Sequence, residues 1–262
     1  MVIAALFADW TGKMASSGDI FHLPAEHNLT TNTKTASVDA TPEAITESEQ
    51  TFTVSTHQVV AQEIEDFAEV MSKYDLRSGF TERAAYSLNR ALEVNCAALL
   101  DDNTLQSVGV LSAEMTDDNL IRAWQYGADN SARGQAKGVV SPACWGGFLK
   151  IEKFTNQLFN GDTNGRALRE AQIGKIYNAT MYQSQLTVGT APNSSGHLWW
   201  GDHFFKIMKR RPKQDAWFSP LAKAWVLATD QIYGVFERQE GDEAAAVTTV
   251  ARLHGVRLQS LK

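Results

Sequence analysis

The chain has 262 residues, of which 44% are hydrophobic and 21% charged, and this is the composition of a globular protein with room for one or two domains and a sizeable core. The net charge of −6 argues against a dedicated nucleic-acid-binding protein, and the one basic cluster, Lys209–Arg211 with Lys213, is better explained as a solvated turn or a subunit contact. No apolar run reaches the roughly 18 residues of a membrane span, and the opening residues MVIAALFADWTG lack the basic and cleavable features of a secretion signal.

The first predicted elements are two strands separated by a long polar segment. Residues 19–24 predict a short strand, and residues 51–61 begin with the alternation of a second strand, with Phe52 and Val54 on one face. The segment 25–50 between them is rich in Thr, Glu and Ala and has no helical period. Either it is disordered, or it forms a long two-stranded arm that packs on a neighbouring subunit. The flanking strands favour the arm, because structureless connections of this length are uncommon in compact monomers.

Two helices are predicted next. The first has one apolar face, ends near Tyr74 and Asp75, and is indicated by Ile64, Phe67, Ala68 and Met71. The second is much longer, from about Leu76 to Leu100, and on the order of 37 Å at 1.5 Å per residue. Its apolar stripe consists of Leu76, Phe80, Ala84, Leu88, Leu92, Cys96 and Leu99. Steps of four residues rotate this stripe around the helix, so the helix should meet different neighbours along its length, as a central spine would.

A third helix is predicted from Asp117 to about Ala132. Thr116 is its candidate N-cap, and the two aspartates of the first turn complement the helix dipole. Its inner face is expected to consist of Leu120, Ala123, Trp124, Gly127 and Ala128.

The second half of the chain predicts mainly strands. A short buried strand at residues 137–142 should lead into a helix at 143–150, and residues 160–165 form a turn cluster. Further strands are expected within residues 171–190, at 231–238 and at 246–258, the last two joined by a polar turn. Residues 197–225 are dense in aromatic side chains: Trp199, Trp200, Phe204, Phe205, Trp217, Phe218 and Trp225. Burial in a domain core is the favoured explanation for them, and contact between subunits is the alternative.

No residue pattern points to catalysis. Ser141 precedes a proline and lies in no nucleophile elbow, and the chain has no glycine-rich phosphate loop. Cys96 falls on the apolar stripe of the long helix and is expected to be a buried small hydrophobic residue. Cys144 starts a helix. Two cysteines imply no disulfide framework and suit a reducing cytoplasm.

Two segments were weighed as metal sites. His197, Asp202 and His203 have a spacing that fits neither a zinc-protease nor a zinc-finger pattern, so hydrogen bonding within a packed face is preferred. Residues 161–165 lack the ligand series of a calcium loop and predict a turn. No catalytic, cofactor-binding or metal residue is therefore assigned, and no cofactor is expected.

Taken in order, the predicted elements are an arm, an alternating strand, a short helix, a spine helix, a second helix, a strand–Pro–helix unit and a closing strand. This order resembles that of the major capsid proteins of tailed bacteriophages with the Hong Kong 97 fold. The segments that carry the resemblance are Gly18–Pro24, Val60–Arg77, Gly138–Pro142, Gln172–Tyr177 and Ala251–Leu258.

The resemblance implies an α+β fold divided in a definite way. It places an N-terminal arm at residues 1–17, an extended E-loop at 18–58 and a peripheral P-domain with the spine helix at 59–135. It places an axial A-domain at 136–235 and strands returning to the P-domain at 236–262. So short an arm implies that no internal scaffolding segment is encoded.

The resemblance also implies a function without catalysis. Such a subunit self-assembles into hexamers and pentamers that form an icosahedral head around phage double-stranded DNA, in the virion, after assembly in the host cytoplasm. Portal, scaffolding and decoration proteins are possible partners. Some members crosslink a lysine to an asparagine of another subunit, but nothing marks Lys34, the one lysine of the loop, as reactive.

Contact with packaged DNA is expected to be weak, through local patches such as residues 209–213. Two alternatives are kept: an encapsulin-type nanocompartment enclosing a protein cargo, and a small soluble enzyme without a recognisable motif.

Overall fold

The computed structural model describes residues 2–14, 18–24, 31–37, 39, 42, 49–72, 75–102, 107–110, 113–129, 134–155, 175–186, 194–238 and 255–260. Its helices are α1 (Ile3–Leu6), α2 (Asp66–Met71), α3 (Leu76–Asp102), α4 (Asp117–Asp129), α5 (Pro142–Lys150) and α6 (Glu152–Thr155), with a 3-10 turn at Thr11–Lys13. Its strands are β1 (Ala8–Asp9), β2 (Ile20–Pro24), β3 (Glu49–Thr53), β4 (Thr56–Glu65), β5 (Ser107–Gly109), β6 (Ala136–Val140), β7 (Lys175–Ile176), β8 (Ala179–Gln183), β9 (Ser194–Trp200), β10 (Phe204–Ser219), β11 (Ala224–Glu237) and β12 (Gly255–Ser260). Among the described residues, no helix has the length and apolar character needed to cross a membrane.

Two sheets form the body of the subunit, and the mixture of helices and strands confirms the predicted α+β class. A four-stranded sheet has the order β1-β10-β11-β4, and a six-stranded mixed sheet has the order β5-β12-β9-β6-β8-β7. The strands β2 and β3 pair with each other in a separate antiparallel hairpin. Apolar side chains of α4, α5 and α6 cover one face of the six-stranded sheet.

The long helix α3 confirms the predicted spine. It has 27 residues and lies against β11 and β4 of the four-stranded sheet. Leu88 and Leu92 are buried, as predicted, together with Cys96 and Leu100. The stripe residues in the first half of the helix, Leu76, Phe80 and Ala84, are only half-buried. The rotating stripe therefore has its deepest contacts in the second half of the helix.

The junction between α3 and the sheet contains a buried amide. Gln231 on β11 is fully buried, and its Nε2 donates to the Leu88 carbonyl at 2.9 Å and to Oε1 of Gln58 at 3.1 Å. Nearby, Nδ2 of Asn95 donates to the Tyr233 hydroxyl at 2.7 Å. Buried polar groups are costly unless they are paired, so these bonds fix how the helix lies on the sheet.

Residues 2–14 pack into the chain's own core, whereas an N-terminal arm was predicted to extend from it. Ile3, Phe7 and Trp10 are buried. Ile3 and Phe7 join a cluster formed by the second half of α3 and both sheets. The apolar character of these residues explains the difference, because an extended arm would expose them to water.

Strand pairing also differs from the predicted division of the chain. The strands β10 and β11 belong to the sheet under α3, and the final strand β12 pairs with β9 and β5 of the six-stranded sheet. Residues 204–235 therefore lie with the spine helix, and the last strand does not return to it. The reason is packing: Phe204 and Tyr233 join the α3 cluster, whereas Val256 and Leu258 pack beneath α4 and α5.

Several element boundaries differ from the sequence predictions. Ile64 is buried on β4, which ends at Glu65, so the short helix starts later than its apolar spacing indicated. The predicted strand at 51–61 is divided into β3 and β4. The strand predicted at 231–238 begins earlier, at Ala224. Within residues 171–190, where strands were predicted, Tyr177 and Leu186 lie in turns. The turns predicted at 160–165 and 240–243 lie outside the described residues.

Helix α4 begins as predicted but buries a narrower face. The backbone N–H of Asn119 donates to the Thr116 hydroxyl at 3.4 Å, which confirms the predicted cap. Leu120, Ala123 and Gly127 are buried, whereas Trp124 and Ala128 are exposed. A Cβ at Gly127 would lie 2.2 Å from the Trp200 ring, so the glycine allows α4 to lie directly on that ring.

We predict that Leu88→Ala and Leu92→Ala each lower the free energy of unfolding of the isolated subunit by about 2–5 kcal/mol. Both side chains are almost completely buried on the inner face of α3, so truncation leaves a cavity. Urea denaturation measures the loss. The matched control is Leu221→Ala, because Leu221 is fully exposed and its truncation should leave stability unchanged. Parental stability in both core variants would contradict the packing described for α3.

Candidate assembly surfaces

The three residues considered for a metal site do not form one. Asp202 Oδ1 lies 2.9 Å from Nζ of Lys137, and His203 is buried apart from it on the strand connection before β10. His197 projects from β9 beside Arg257, its cross-strand neighbour on β12. Within the described part of the chain, no three His, Cys, Asp or Glu side chains are placed to hold a metal ion. Residues 161–165 lie outside the described residues.

His197 sits in a buried charged cluster at the end of the spine. Asp101, in the last turn of α3, has its Oδ1 2.5 Å from Nη2 of Arg257 and 4.0 Å from Nε2 of His197. Burial lowers the pKa of His197 from 6.5 to about 3, and the neighbouring Arg257 lowers it in the same direction. The histidine is therefore uncharged at neutral pH. The contacts of Asp101 with Arg257 and His197 connect the end of α3 to the six-stranded sheet.

The two cysteines and Ser141 have structural surroundings. Cys96 is buried on α3, as predicted, and burial raises the pKa of its thiol to about 12, far from the value a nucleophile needs. Cys144 is also buried, and its backbone N–H donates to Ser141 Oγ at 3.2 Å. Ser141 thus caps α5, with Pro142 in the first turn.

The aromatic residues of 197–225 divide between core and surface. Trp199, Trp200, Phe204 and Phe205 are buried and are distributed over the three apolar clusters of the subunit. At the far end of the β10–β11 hairpin, Trp217 and Phe218 are exposed. The four buried residues fit the explanation by burial in a core. Trp217 and Phe218 are exposed and fit the alternative, contact between subunits.

The end of the hairpin and the neighbouring helix α2 carry the three most exposed large apolar side chains of the described residues, Leu221, Val70 and Met71. The backbone N–H of Asp66 donates to the Lys223 carbonyl at 3.0 Å, so α2 begins next to the hairpin turn. Five side chains located at this end are at least one-third exposed, and we call them the tip patch: Val70, Met71, Trp217, Phe218 and Leu221. Exposed apolar patches of this kind mark surfaces that associate with another protein.

The basic cluster on β10 is partly neutralised. Arg210 Nη1 lies 2.8 Å from Asp230 Oδ2, and Lys213 Nζ lies 2.9 Å from Asp215 Oδ1. His57 Nε2 lies 3.1 Å from the same Asp230 oxygen. Two of the four cations thus have acidic partners: Asp215 is close to Lys213 in the same strand, and Asp230 comes from the neighbouring strand β11. This pairing weakens the cluster as a site for a polyanion.

The β2–β3 hairpin has an aromatic base. Phe52 packs edge-on against Phe205 with ring centroids 5.1 Å apart, and Phe205 stacks on Trp10 at 4.1 Å. Residues 31–37, between the two strands, are exposed, and Lys34 is among them. Residues 25–30, 38, 40–41 and 43–48 lie outside the described residues. The strand pairing supports the arm interpretation of this segment, and its contact with a neighbouring subunit stays a prediction.

Comparison with known proteins gives matches through structure alone. Neither a protein-family profile nor a curated protein sequence matches the chain. A structure from Mycobacterium phage Che8 superimposes with a TM-score of 0.80 at 16% identity, over 98% of this chain and 90% of that one. The capsid structure of cyanophage P-SCSP1u gives 0.73 at 15% identity, over 98% and 86%. The mature capsid of bacteriophage PhiM1 gives 0.68 at 12% identity, over 94% and 82%.

This chain has the Hong Kong 97-like capsid fold. The resemblance inferred from the order of the sequence motifs is thereby confirmed at the level of the fold. Since the likeness covers 98% of this chain in both structures, both sheets and the long helix α3 belong to the shared architecture.

We predict that His197 makes the stability of this capsid fold sensitive to acid. The unfolded chain takes up a proton at its ordinary pKa of 6.5, whereas the folded chain does so only near 3. Stability from this group is therefore complete above pH 6.5 and declines as the pH falls from 6.5 to 3, approaching about 1.4 kcal/mol per pH unit. Urea denaturation at several pH values should show a shallower acid slope for His197→Gln than for the parent. Equal slopes would refute the assignment.

Proposed function

We propose that this chain is a major capsid protein that assembles into hexamers and pentamers and closes into the icosahedral head of a tailed bacteriophage around double-stranded DNA. The observation that carries the proposal is the structural likeness to capsid chains over almost their whole length. Fold by itself does not determine function, so the surfaces of this chain must supply further support.

The exposed surfaces suit a protein that works by association. The tip patch would leave several large apolar side chains in water if the subunit stayed a monomer, and burying apolar area stabilises contacts between subunits by about 25 cal/mol per Å². The β2–β3 hairpin, anchored at its aromatic base, is available to extend over a neighbour. The tip patch and the β2–β3 hairpin are separate surfaces, and a subunit in a closed shell needs separate surfaces for its different neighbours.

The strand pairing suggests how the parts of the capsid fold are assigned. We assign the four-stranded sheet with α3 to the P-domain and the six-stranded sheet with α4 and α5 to the A-domain. The β2–β3 hairpin is the base of the E-loop. With this assignment, residues 204–237 belong to the P-domain, although the sequence resemblance placed residues up to 235 in the A-domain. Strand β12 belongs to the A-domain, although the sequence resemblance returned it to the P-domain.

The proposal includes a location and partners. The protein belongs to the virion after assembly in the host cytoplasm, without a catalytic role, and portal, scaffolding and decoration proteins are its expected companions. An encapsulin-type compartment uses the same kind of shell around a protein cargo. The contents of the shell therefore decide between the two, whereas a purified chain that stays monomeric would favour the enzyme alternative.

The test of the proposal is size-exclusion chromatography and negative-stain microscopy of the purified protein, followed by nuclease treatment and analysis of shell contents from the native source. We expect closed shells with pentameric and hexameric units that contain duplex DNA. Shells filled with one protein would indicate the encapsulin alternative. A chain that forms no shell under any condition of salt and concentration would overturn the proposal.

Deleting residues 27–48 should give a folded subunit that no longer forms shells, because the deletion removes the end of the hairpin and leaves its aromatic base at Phe52 and Phe205 intact. Thermal unfolding checks the fold and negative stain checks assembly. Normal particles from this variant would show that the segment is not an assembly arm.

The tip patch gives a second assembly prediction. Leu221→Asp places a charge among exposed apolar side chains and should reduce the yield of shells, since an unpaired carboxylate buried at a contact is costly. Leu221→Met is the matched control, and it should assemble as the parent does. Because Leu221 is fully exposed in the subunit, both variants should melt like the parent. Full assembly of Leu221→Asp would exclude the patch from the shell contacts.

A further inference from the structure

The outward face of the spine helix α3 is an exposed surface that belongs neither to the tip patch nor to the β2–β3 hairpin. Leu88, Leu92 and Cys96 point towards the sheet and are buried. On the opposite side lie Arg83 and Arg90, which are seven residues apart, so they share one face about 10 Å apart along the axis. Both are exposed, and Tyr86, which is 66% exposed, lies between them.

The two arginines have no ion-pair partner among the described residues. Neither guanidinium has an ion pair, hydrogen bond or ring contact with a described residue. The next acidic residue along the helix from Arg90 is Glu93, and it is turned inward, where Oε1 accepts the backbone N–H groups of Val2 and Ile3 at 2.7 and 3.0 Å. Glu82 flanks Arg83 at the edge of the face and is the one acidic residue beside it.

This arrangement contrasts with the basic cluster on β10. There, Arg210 and Lys213 have carboxylate partners within 2.9 Å. A polyanion approaching β10 would compete with Asp230 and Asp215 for two of the four cations, whereas neither arginine on α3 has a described carboxylate partner. On an acidic chain, the outward face of α3 is thus the better electrostatic complement to phosphate.

We propose that Arg83, Tyr86 and Arg90 on the outward face of α3 contact the phosphates of the double-stranded DNA enclosed by the shell. This inference rests on the proposed function. Duplex DNA carries one charge per about 1.7 Å of its axis, so phosphates lie within reach of both arginines in any register. Two contacts to the phosphate backbone do not distinguish one base from another, so each subunit binds DNA weakly and independently of its sequence. The same contacts recur in every subunit around the inner wall.

The proposal is tested by titrating the purified subunit with duplex DNA over a range of salt concentrations, using fluorescence anisotropy. Each neutralised phosphate contributes about 0.9 to the slope of log K against log salt. The double variant Arg83→Gln/Arg90→Gln should therefore reduce the slope by about 1.8. The double variant Arg83→Lys/Arg90→Lys keeps both charges and should retain the parental slope.

Arg122→Gln is the matched control, because Arg122 is an exposed arginine on α4 with no described partner, and it should leave the slope unchanged. An unchanged slope in the Arg83→Gln/Arg90→Gln variant would overturn the inference. So would a parent that binds no duplex at low salt. Loss of shells in that variant with unchanged DNA binding would instead make this face a contact between copies of the chain. Failure of the parent to form shells at all is a separate result that refutes the proposed function.

Discussion

The architecture depends on a four-residue helix that could not exist by itself. A single turn has too few internal hydrogen bonds to offset the cost of nucleation, and burying its ends would leave polar groups unpaired. In this chain the ends of α1 have charged partners. Glu93 of α3 accepts the N–H groups of Val2 and Ile3 at the start of the helix. Lys206 of β10 donates to the Ala4 carbonyl at 2.7 Å, and Lys137 of β6 donates to the Leu6 carbonyl at 3.2 Å.

Those three partners come from the spine helix and from both sheets, so α1 joins the parts that the fold must hold together. Ile3 and Phe7 complete an apolar cluster in which α3, β6 and β10 all take part. With the sheets fixed to the helix in this way, the subunit presents surfaces at defined positions. The tip patch lies at one end, the β2–β3 hairpin extends from the sheet face opposite α3, and the arginines lie on the outer side of α3.

Much of the fold could be predicted because its signals are local. The apolar spacing of α3, the Thr116 cap of α4 and the Ser141–Pro142 start of α5 each act within one or two helical turns. The sheet that a strand joins is determined by contacts with residues that are distant in the sequence. The alternation of Val256 and Leu258 indicates one buried face, but it contains no information on whether β9 or β11 will be the neighbour.

The surfaces were harder to predict for a related reason. Adjacent cations at 209–213 stand out in the sequence, but Asp230, which neutralises Arg210, comes from the next strand. Arg83 and Arg90 are separated by six residues and do not stand out as a cluster. Their importance depends on lying on one side of a helix whose neighbouring carboxylate, Glu93, is occupied elsewhere. Likewise, the spacing placed Trp124 on the inner face of α4, but Gly127 lies against Trp200 and Trp124 is exposed.

The position of α1 has a consequence for the order in which the chain can fold. Its polar partners are 90 to 202 residues away in sequence, so α1 reaches its place only after β10 has been made. Contacts between such distant segments slow folding, because the chain must close long loops before it gains their stabilisation. A subunit whose sheets have formed without α1 has an open apolar cavity next to Leu92 and Tyr233, and the arrival of α1 is the step that closes it. Completion of the core is thereby postponed until β10 is available, and contacts that depend on a finished core can form only after that.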